Sequence, residues 1–177
     1  MLKRGLIWLS CIAMLLHTSA VVHINGLALA ESATISTRRA AGVQEVKVFL
    51  IAVDDAGRSG KKIGCDDSVV AVTRALRPTR TPLKAALKEL LRIPRSYGSE
   101  PELYNALHQS ELRLESVSIH RDVARLNFAG RLVTGGVCDS PRVQAQIEET
   151  ALQFPTVKQV KVFINGTPLS EYLSERD

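Results

Sequence analysis

The last third of the chain contains the pattern that most restricts its fold: a helix followed at once by a strand and a tight turn. The helix is predicted from Asp139 to about Phe154. Pro141 suits its first position after a capping Asp139 or Ser140, because proline lacks an N–H that would be unpaired there in any case. One side of the helix is apolar at helical spacing: Val143, Ile147, Ala151 and Phe154.

Beyond Pro155 the hydrophobic period changes from helical spacing to two. Val160, Val162 and Ile164 share one face of the predicted strand, whereas Lys161 lies on the other. The dipeptide Asn165-Gly166 follows, and both residues tolerate the positive φ angles of a hairpin turn. The segment from Val157 to Leu169 therefore predicts a strand and turn, with the preceding helix packed on a sheet.

The first thirty residues have the pattern of a secretory signal peptide. Lys3 and Arg4 precede an apolar run from Gly5 to Leu16, and Ala28-Leu29-Ala30 matches a small-x-small cleavage site. We expect cleavage after Ala30, a polar tether at 31–42 and one domain at 43–177. Two alternatives remain: an uncleaved membrane anchor, and lipidation at Cys11.

Removal of residues 1–30 would leave two cysteines, Cys65 and Cys138. In an oxidising compartment an even pair predicts a disulfide. The alternative is a pair of free thiols or half of a metal site, although neither cysteine lies in a C-x-x-C motif.

Size and charge restrict the function classes further. The 147 residues left after cleavage are enough for one ordinary domain. The 23 Lys and Arg of the chain include Lys3 and Arg4, so 21 remain against 18 Asp and Glu. This small positive balance does not indicate a nucleic-acid partner.

Five strands and two helices are predicted in the order β-β-α-β-β-α-β. The first helix begins after Thr81-Pro82 and is stopped by Ile93-Pro94. The four strands that precede the closing unit begin near Val46, Val69, Leu112 and Val123. We therefore expect a single α+β domain, in which two helices pack on one face of a mixed sheet.

Several segments together resemble a known family. They are Val46-Lys-Val-Phe-Leu, Val72-Thr-Arg, Pro82-Leu-Lys-Ala-Ala-Leu-Lys-Glu-Leu-Leu, Leu114-Glu-Ser-Val-Ser, Val123-Ala-Arg-Leu-Asn-Phe and Ile147-Glu-Glu-Thr-Ala-Leu-Gln-Phe-Pro-Thr-Val-Lys-Gln-Val-Lys-Val-Phe-Ile-Asn-Gly. From about Val46 to Leu169 the chain resembles a GerMN domain, the sporulation and spore germination module of exported bacterial envelope proteins. The resemblance implies an extracytoplasmic interaction module without established chemistry.

The chain departs from the family pattern at two places. Leu90-Leu91 runs into Arg92-Ile93-Pro94 where the family usually has a Leu-Leu-x-Gly-Pro type of turn. Cys65 and Cys138 are not required by the family pattern either, and they suggest a locally stapled variant.

A row of basic residues is the most organised charged feature: Arg80, Lys84, Lys88 and Arg92. A spacing of four places such residues on one face of a helix. That face is our candidate contact for an anionic wall polymer, lipid head groups or an acidic protein. The alternative is an ordinary solvated helix face.

Catalytic and metal sites are not predicted, and neither is a cofactor. Ser110, Ser116 and Ser118 lack a Gly-x-Ser-x-Gly elbow. His120 adjoins Arg121-Asp122 and could act as a base, but a histidine in a hairpin turn is more often simply exposed, and the same holds for His108. The pairs Asp54-Asp55 and Asp66-Asp67 could ligate calcium, but they lack the alternation of a calcium loop and favour turn formation.

An exposed sheet edge is the second candidate contact, since its unpaired backbone groups can accept another strand. Pro168 would blunt pairing just past the predicted turn. We therefore expect a non-enzymatic, exported binding or scaffolding module of the bacterial envelope; the alternative is a polymer-modifying hydrolase. The expected partners are an envelope protein or an anionic wall polymer, with self-association through sheet edges and no membrane span after signal cleavage.

Overall fold

A computed structural model describes residues 42–98 and 102–174. The predicted signal peptide at 1–30 and all of the predicted tether except Gly42 lie outside these ranges. None of the helices within the described residues is long and apolar enough to cross a membrane.

The described residues contain nine strands, three α-helices and one 3-10 turn. They are β1 (Gln44–Ala52), β2 (Lys61–Lys62), a 3-10 turn (Gly64–Asp66), β3 (Ser68–Leu76), α1 (Pro82–Leu90), β4 (Ser96–Tyr97), β5 (Leu103–Tyr104), β6 (Glu111–His120), β7 (Val123–Arg131), α2 (Asp139–Leu152), β8 (Gln159–Ile164), β9 (Thr167–Pro168) and α3 (Leu169–Ser174). The α+β class and the order of the seven main elements are confirmed. The four two-residue strands and α3 are additions.

The strands were expected in one mixed sheet, but they lie in two sheets. The first sheet has the order β2-β3-β1-β5-β4, and its strand pairs are antiparallel. The second has the order β6-β7-β8-β9, and it is mixed because β7 and β8 run parallel. On the side of β1 away from β3, β5 pairs only at Ile51, and Lys47 and Phe49 bond to side chains at α2 instead of a strand.

Two polar side chains of α2 and its C-cap residue, Gln153, take the place of a neighbouring strand along part of β1. The amide of Gln153 accepts from the Lys47 N–H at 2.7 Å and donates to the Lys47 carbonyl oxygen at 2.6 Å. The Thr150 hydroxyl oxygen accepts from the Phe49 N–H at 3.2 Å, and the Gln146 amide donates to the Phe49 carbonyl oxygen at 2.9 Å. These bonds give partners to backbone groups that no strand pairs on this side, so α2 and its C-cap cover β1 at Lys47 and Phe49.

Gln146 also connects α2 to the end of α1. Its side chain is completely buried, and its oxygen accepts from the Ala106 N–H at 2.8 Å. Its nitrogen lies 3.1 Å from the Asn105 side-chain oxygen, and the Asn105 nitrogen donates to the Ile93 carbonyl oxygen at 2.7 Å. Two buried amides thus join β1, α2, the 105–107 turn and the exit of α1.

The apolar stripes predicted for both helices face one shared core. Leu83, Leu87 and Leu90 are buried on α1, and Val143 and Ile147 are buried on α2. Phe154 lies two residues past the end of α2 but still packs against the core. The core includes residues of both sheets, so the two sheets and the helices form one hydrophobic unit.

The predicted Asn165-Gly166 turn is present between β8 and β9. Its φ angles are 50° and 87°, and the Asn165 side chain bonds to both backbone groups of Gly130 at 2.8 and 2.9 Å. Gly130 itself has φ +120°, and a β-carbon there would lie 2.0 Å from the Glu111 carbonyl oxygen. The turn is therefore anchored to β7 at a position that only glycine fits.

A disulfide joins Cys65 to Cys138, 73 residues apart in sequence, as the cysteine count predicted. It ties the 3-10 turn to the N-terminus of α2.

We predict that Gln146→Leu lowers the free energy of unfolding by about 2–3 kcal/mol, because the Phe49 carbonyl and the Ala106 N–H lose their partner inside the core. The matched control is Gln144→Leu, on the exposed side of the same helix. Urea unfolding followed by circular dichroism measures both changes. Equal effects of the two substitutions would contradict the role given to Gln146.

We predict that the double change Cys65→Ser with Cys138→Ser lowers the free energy of unfolding by up to about 4 kcal/mol. A cross-link over a long loop restricts the unfolded chain, and its removal restores that freedom. Thermal unfolding of the oxidised and reduced wild-type protein provides the comparison. An unchanged unfolding temperature on reduction would contradict this prediction.

Candidate functional site

The predicted basic row does not lie on one helix face. Because α1 begins at Pro82 and ends at Leu90, Arg80 precedes the helix and Arg92 follows it. Lys84 and Lys88 are the two members within α1, and the Arg92 guanidinium lies 3.9 Å from the Glu89 carboxylate. The four residues are spaced by four in the sequence, but α1 is too short to include Arg80 and Arg92.

Two members of the row border an apolar groove of about 380 Å³ between α1 and β6. Arg80 and Lys84 line it, together with Thr81, Pro82, Leu83, Val117, Ile119, Phe154 and Thr156. Lys88 and Arg92 are not among the lining residues. The Ile119 side chain is 45% exposed there. The basic feature is thus a pair of cations beside apolar surface.

A cluster of charged side chains lies where α2 begins. Arg142 Nε is 2.6 Å from Asp67 Oδ2, and Arg142 Nη1 is 3.2 Å from Asp139 Oδ1. The Tyr104 hydroxyl is 3.4 Å from both oxygens of Asp139. A cleft of about 580 Å³ adjoins the cluster, and His108 contributes to its wall. The sequence did not reveal this cluster, because Asp67 and Arg142 are 75 residues apart.

The charges of this cluster favour a structural role, in which Arg142 holds Asp67 and Asp139 together, over acid–base catalysis. Burial raises the pKa of the Tyr104 hydroxyl, and the Asp139 carboxylate raises it further. Burial opposes the charge of Arg142, but bonds to Asp67 and Asp139 raise the pKa of its guanidinium above the ordinary value. Tyrosine and arginine therefore keep their protons at neutral pH, and each Asp of the cluster is paired with Arg142.

The serine and histidine residues considered for catalysis bond to other groups of the protein and not to one another within the described residues. The Ser110 hydroxyl oxygen accepts from the Val133 N–H at 3.0 Å. His108 Nδ1 lies 2.9 Å from the Asn105 carbonyl oxygen. Ser116 and Ser118 lie on β6, and His120 ends that strand. None of these contacts pairs a serine with a histidine.

The acidic pairs considered for calcium lie in the connection between β1 and β3, where they bond to protein groups. Donation from the Ser68 hydroxyl and the Ser59 N–H lowers the pKa of Asp55 to about 2. Asp67 accepts from the Asp54 N–H at 2.9 Å, in addition to its bond with Arg142. Within residues 42–98 and 102–174, no three His, Cys, Asp or Glu side chains are grouped as metal ligands.

The outer side of β3 is an open strand edge. β2 pairs only with Ser68 and Val69, so β3 has no strand on its outer side from Val70 to Leu76 in the part of the chain that the structure describes. A β-carbon on Gly60 would lie 2.2 Å from the Val69 carbonyl oxygen, which therefore points outward toward β2. Backbone groups alternate in direction along a strand. Three residues consequently direct their N–H and C=O groups outward: Ala71, Thr73 and Ala75.

The β3 edge also lacks the usual protection against pairing. Ala71, Thr73 and Ala75 are all exposed, small and uncharged. The one charged residue of β3 is Arg74, whose guanidinium bonds to Glu89 at 2.7 Å and to the Tyr97 hydroxyl at 2.8 Å. Charged edge residues and bulges normally prevent unwanted strand addition. The register of β3 with β1 is regular, and the one charge of β3 is already paired within the domain.

β6, the edge strand of the second sheet, is better protected against strand addition than β3. β6 carries Glu111, Arg113 and Glu115, all exposed, and its register with β7 shifts between Leu114 and Ser116. Charges and a bulge of this kind discourage pairing. The sequence analysis expected an open strand edge but did not say which strand carries it. The uncharged run from Val69 to Thr73 could have indicated β3.

Comparisons with known proteins agree with this fold. Residues 49–170 match the model of a family described as sporulation and spore germination. Among solved structures, the first GerMN domain of the sporulation protein GerM from Bacillus subtilis is similar, with 21% identity and a TM-score of 0.50 over 71% of this chain and 85% of that one. The tandem GerMN domains of the same protein give 18% identity and a TM-score of 0.52 over 76% of this chain.

The chain spans 43% of the length of that tandem structure. No curated protein matches the chain. The family match covers more than half of the sequence, and the GerMN resemblance noted in the sequence is confirmed. The chain therefore belongs to the sporulation and spore germination family, and its domain is of the GerMN type.

Proposed function

We propose that this protein is a non-enzymatic interaction module that works outside the cytoplasm, and that its partner adds a strand to the outer edge of β3. The observation that carries the proposal is the stretch from Val70 to Leu76, which has no strand on its outer side among the described residues. Added strands gain affinity from backbone hydrogen bonds and specificity from alternate side chains.

The side chains beside this edge suit a partner strand of mixed character. Val70 and Val72 are half-buried and pack against the core, so they offer apolar contact on the helix-covered face. Ala71, Thr73 and Ala75 lie on the other face and leave room for larger side chains of the partner.

Two observations support export. The Cys65–Cys138 disulfide is typical of proteins that fold in an oxidising compartment. Residues 1–30 have the charge and apolar pattern of a secretory signal. We therefore place the module in the bacterial envelope, with an envelope protein as its partner.

The groove bordered by Arg80 and Lys84 supports a second partner class. Two cations beside apolar side chains suit an anionic wall polymer or an acidic protein segment. This surface is separate from the β3 edge in its residues, and Lys84→Glu would test it without touching β3.

The alternative function, a polymer-modifying hydrolase, would use the cleft beside α2. Asp139 is its best acid, but that carboxylate already accepts from the Gly135 N–H at 2.7 Å, from Arg142 and from the Tyr104 hydroxyl. A general base needs a free position for the proton that it removes. These contacts favour the interaction module over the hydrolase.

Photo-cross-linking in intact cells tests the proposed function. We predict that a photo-reactive amino acid at Ala71 gives a specific cross-linked product, whereas the same residue at Arg113, between Glu111 and Glu115 on the protected part of the β6 edge, does not. Thr73→Pro should remove the Ala71 product because proline has no N–H to donate. Thr73→Val keeps that N–H and should retain the product.

Two results would contradict the proposal. One is equal cross-linking from Ala71 and Arg113, and the other is an Ala71 product that survives Thr73→Pro. Circular dichroism of each variant confirms that the fold is kept; the Thr73 N–H points away from β1, so its loss leaves the β1–β3 pairing intact.

A further inference from the structure

We infer that the strand added to β3 is the β3 strand of a second copy of this chain, antiparallel and related by a two-fold axis at Thr73. The inference rests on the proposed strand addition and names its partner. The two five-stranded sheets would then form one continuous sheet across the axis.

The position of the open stretch matches this partner. On one side it is limited by β2, which occupies the edge at Ser68 and Val69. On the other side β3 ends at Leu76, and Pro78 follows shortly without an N–H to donate. Gly60, which precedes β2, also approaches Val70. The open stretch is therefore Ala71 to Leu76, and its outward-facing residues, Ala71, Thr73 and Ala75, are centred on Thr73.

The directions of the backbone groups select a single register. With the axis at Thr73, each Thr73 faces the other, and Ala71 faces Ala75 in both directions. All three residues direct their N–H and C=O groups outward, so three hydrogen-bonded residue pairs form. An axis at Val72 would instead place Ala75 opposite Val69, whose carbonyl faces β2. An axis at Arg74 would place two arginines directly opposite each other.

The charges near the axis allow close approach. Arg74 would lie opposite Val72 of the second copy, and its guanidinium is held away by Glu89 and Tyr97. The side chains that meet on the other face, Ala71 with Ala75 and the two threonines, are uncharged. Like charges directly opposite each other destabilise strand pairs, and this register has none within the paired stretch.

The pairing ends at Leu76, because Arg77 of one copy would face Val69 of the other, a position that Lys61 of β2 already occupies. Arg77 of one copy would come near β2 of the other, which carries Lys61 and Lys62. These lysines already have acidic partners: Lys61 lies 2.6 Å from Glu149, and Lys62 lies 2.8 Å from Asp66. The positive charges at this end are therefore balanced by carboxylates from the same chain.

Cysteine cross-linking of the full chain tests the register. Directly opposed residues of an antiparallel pair have Cα atoms about 5.5 Å apart, within the range of about 4.4–6.8 Å that disulfides span. We expect Thr73→Cys to form covalent dimers on mild oxidation. Ala71→Cys is the matched control, because its two copies would be displaced by about 13 Å along the strand. Mixing Ala71→Cys with Ala75→Cys should restore cross-linking, now between the two variants.

The inference is overturned if Thr73→Cys gives no more dimer than Ala71→Cys, or if the mixture of Ala71→Cys and Ala75→Cys gives no cross-link. Mass spectrometry must identify the substituted position of both copies in the linked peptide, and a dimer linked elsewhere also counts against it. Circular dichroism of each variant before oxidation, with the Cys65–Cys138 disulfide kept, shows that it is folded.

This result is separable from the proposed function. If the cysteine variants stay monomeric while the Ala71 photo-cross-link joins another protein and is lost with Thr73→Pro, strand addition stands and the second copy is rejected. If Thr73→Pro leaves every cross-link unchanged, strand addition itself is rejected.

Discussion

The hydrogen bonds from α2 to the free side of β1 determine the arrangement of the rest of the domain. Gln146, Thr150 and Gln153 recur at intervals of four and three, so they project from one stripe of the helix. Together they supply β1 with donors and acceptors that a sheet would normally take from another strand. The helix thereby separates the two sheets and keeps the core continuous beneath them. Since Gln146 also bonds to the 105–107 turn, this interaction fixes the exit of α1 as well.

Because α2 covers one side of β1, the proposed partner strand joins the first sheet on the β3 side. β1 is paired with β3 along its whole length. The unpaired backbone groups on this side of the sheet therefore lie on the outer side of β3. There the side chains are small and uncharged, and Arg74 is held by α1. An unprotected edge normally leads to aggregation unless a partner covers it. In our account the edge is retained because strand addition is the function of the module.

Much of the fold could be predicted from the sequence, because its signals are local. The Asn165-Gly166 turn and the Cys65–Cys138 pair each depend on a few residues. Pro141 located the start of α2 only approximately: the helix begins at Asp139, and Cys138 rather than Asp139 or Ser140 is the N-cap. The division into two sheets could not be predicted, since Gln146 and Thr150 lie among polar helix residues and give no sign that they bond to a strand. Arg80 and Arg92 were wrongly assigned to the face of α1, because the spacing of four in the sequence continues beyond both ends of the helix. The Arg142 cluster escaped notice because its partners are far apart in sequence.

Amide hydrogen exchange, followed residue by residue, tests most directly the claim that α2 closes β1 and leaves β3 open. At dilutions where the chain is monomeric, we predict slow exchange at Lys47 and Phe49, whose N–H groups bond to α2. Ala71, Thr73 and Ala75 should exchange rapidly at the same dilution and become protected when the partner strand binds. Slow exchange at Ala71, Thr73 and Ala75 in the monomer, or rapid exchange at Lys47 and Phe49, would contradict the account.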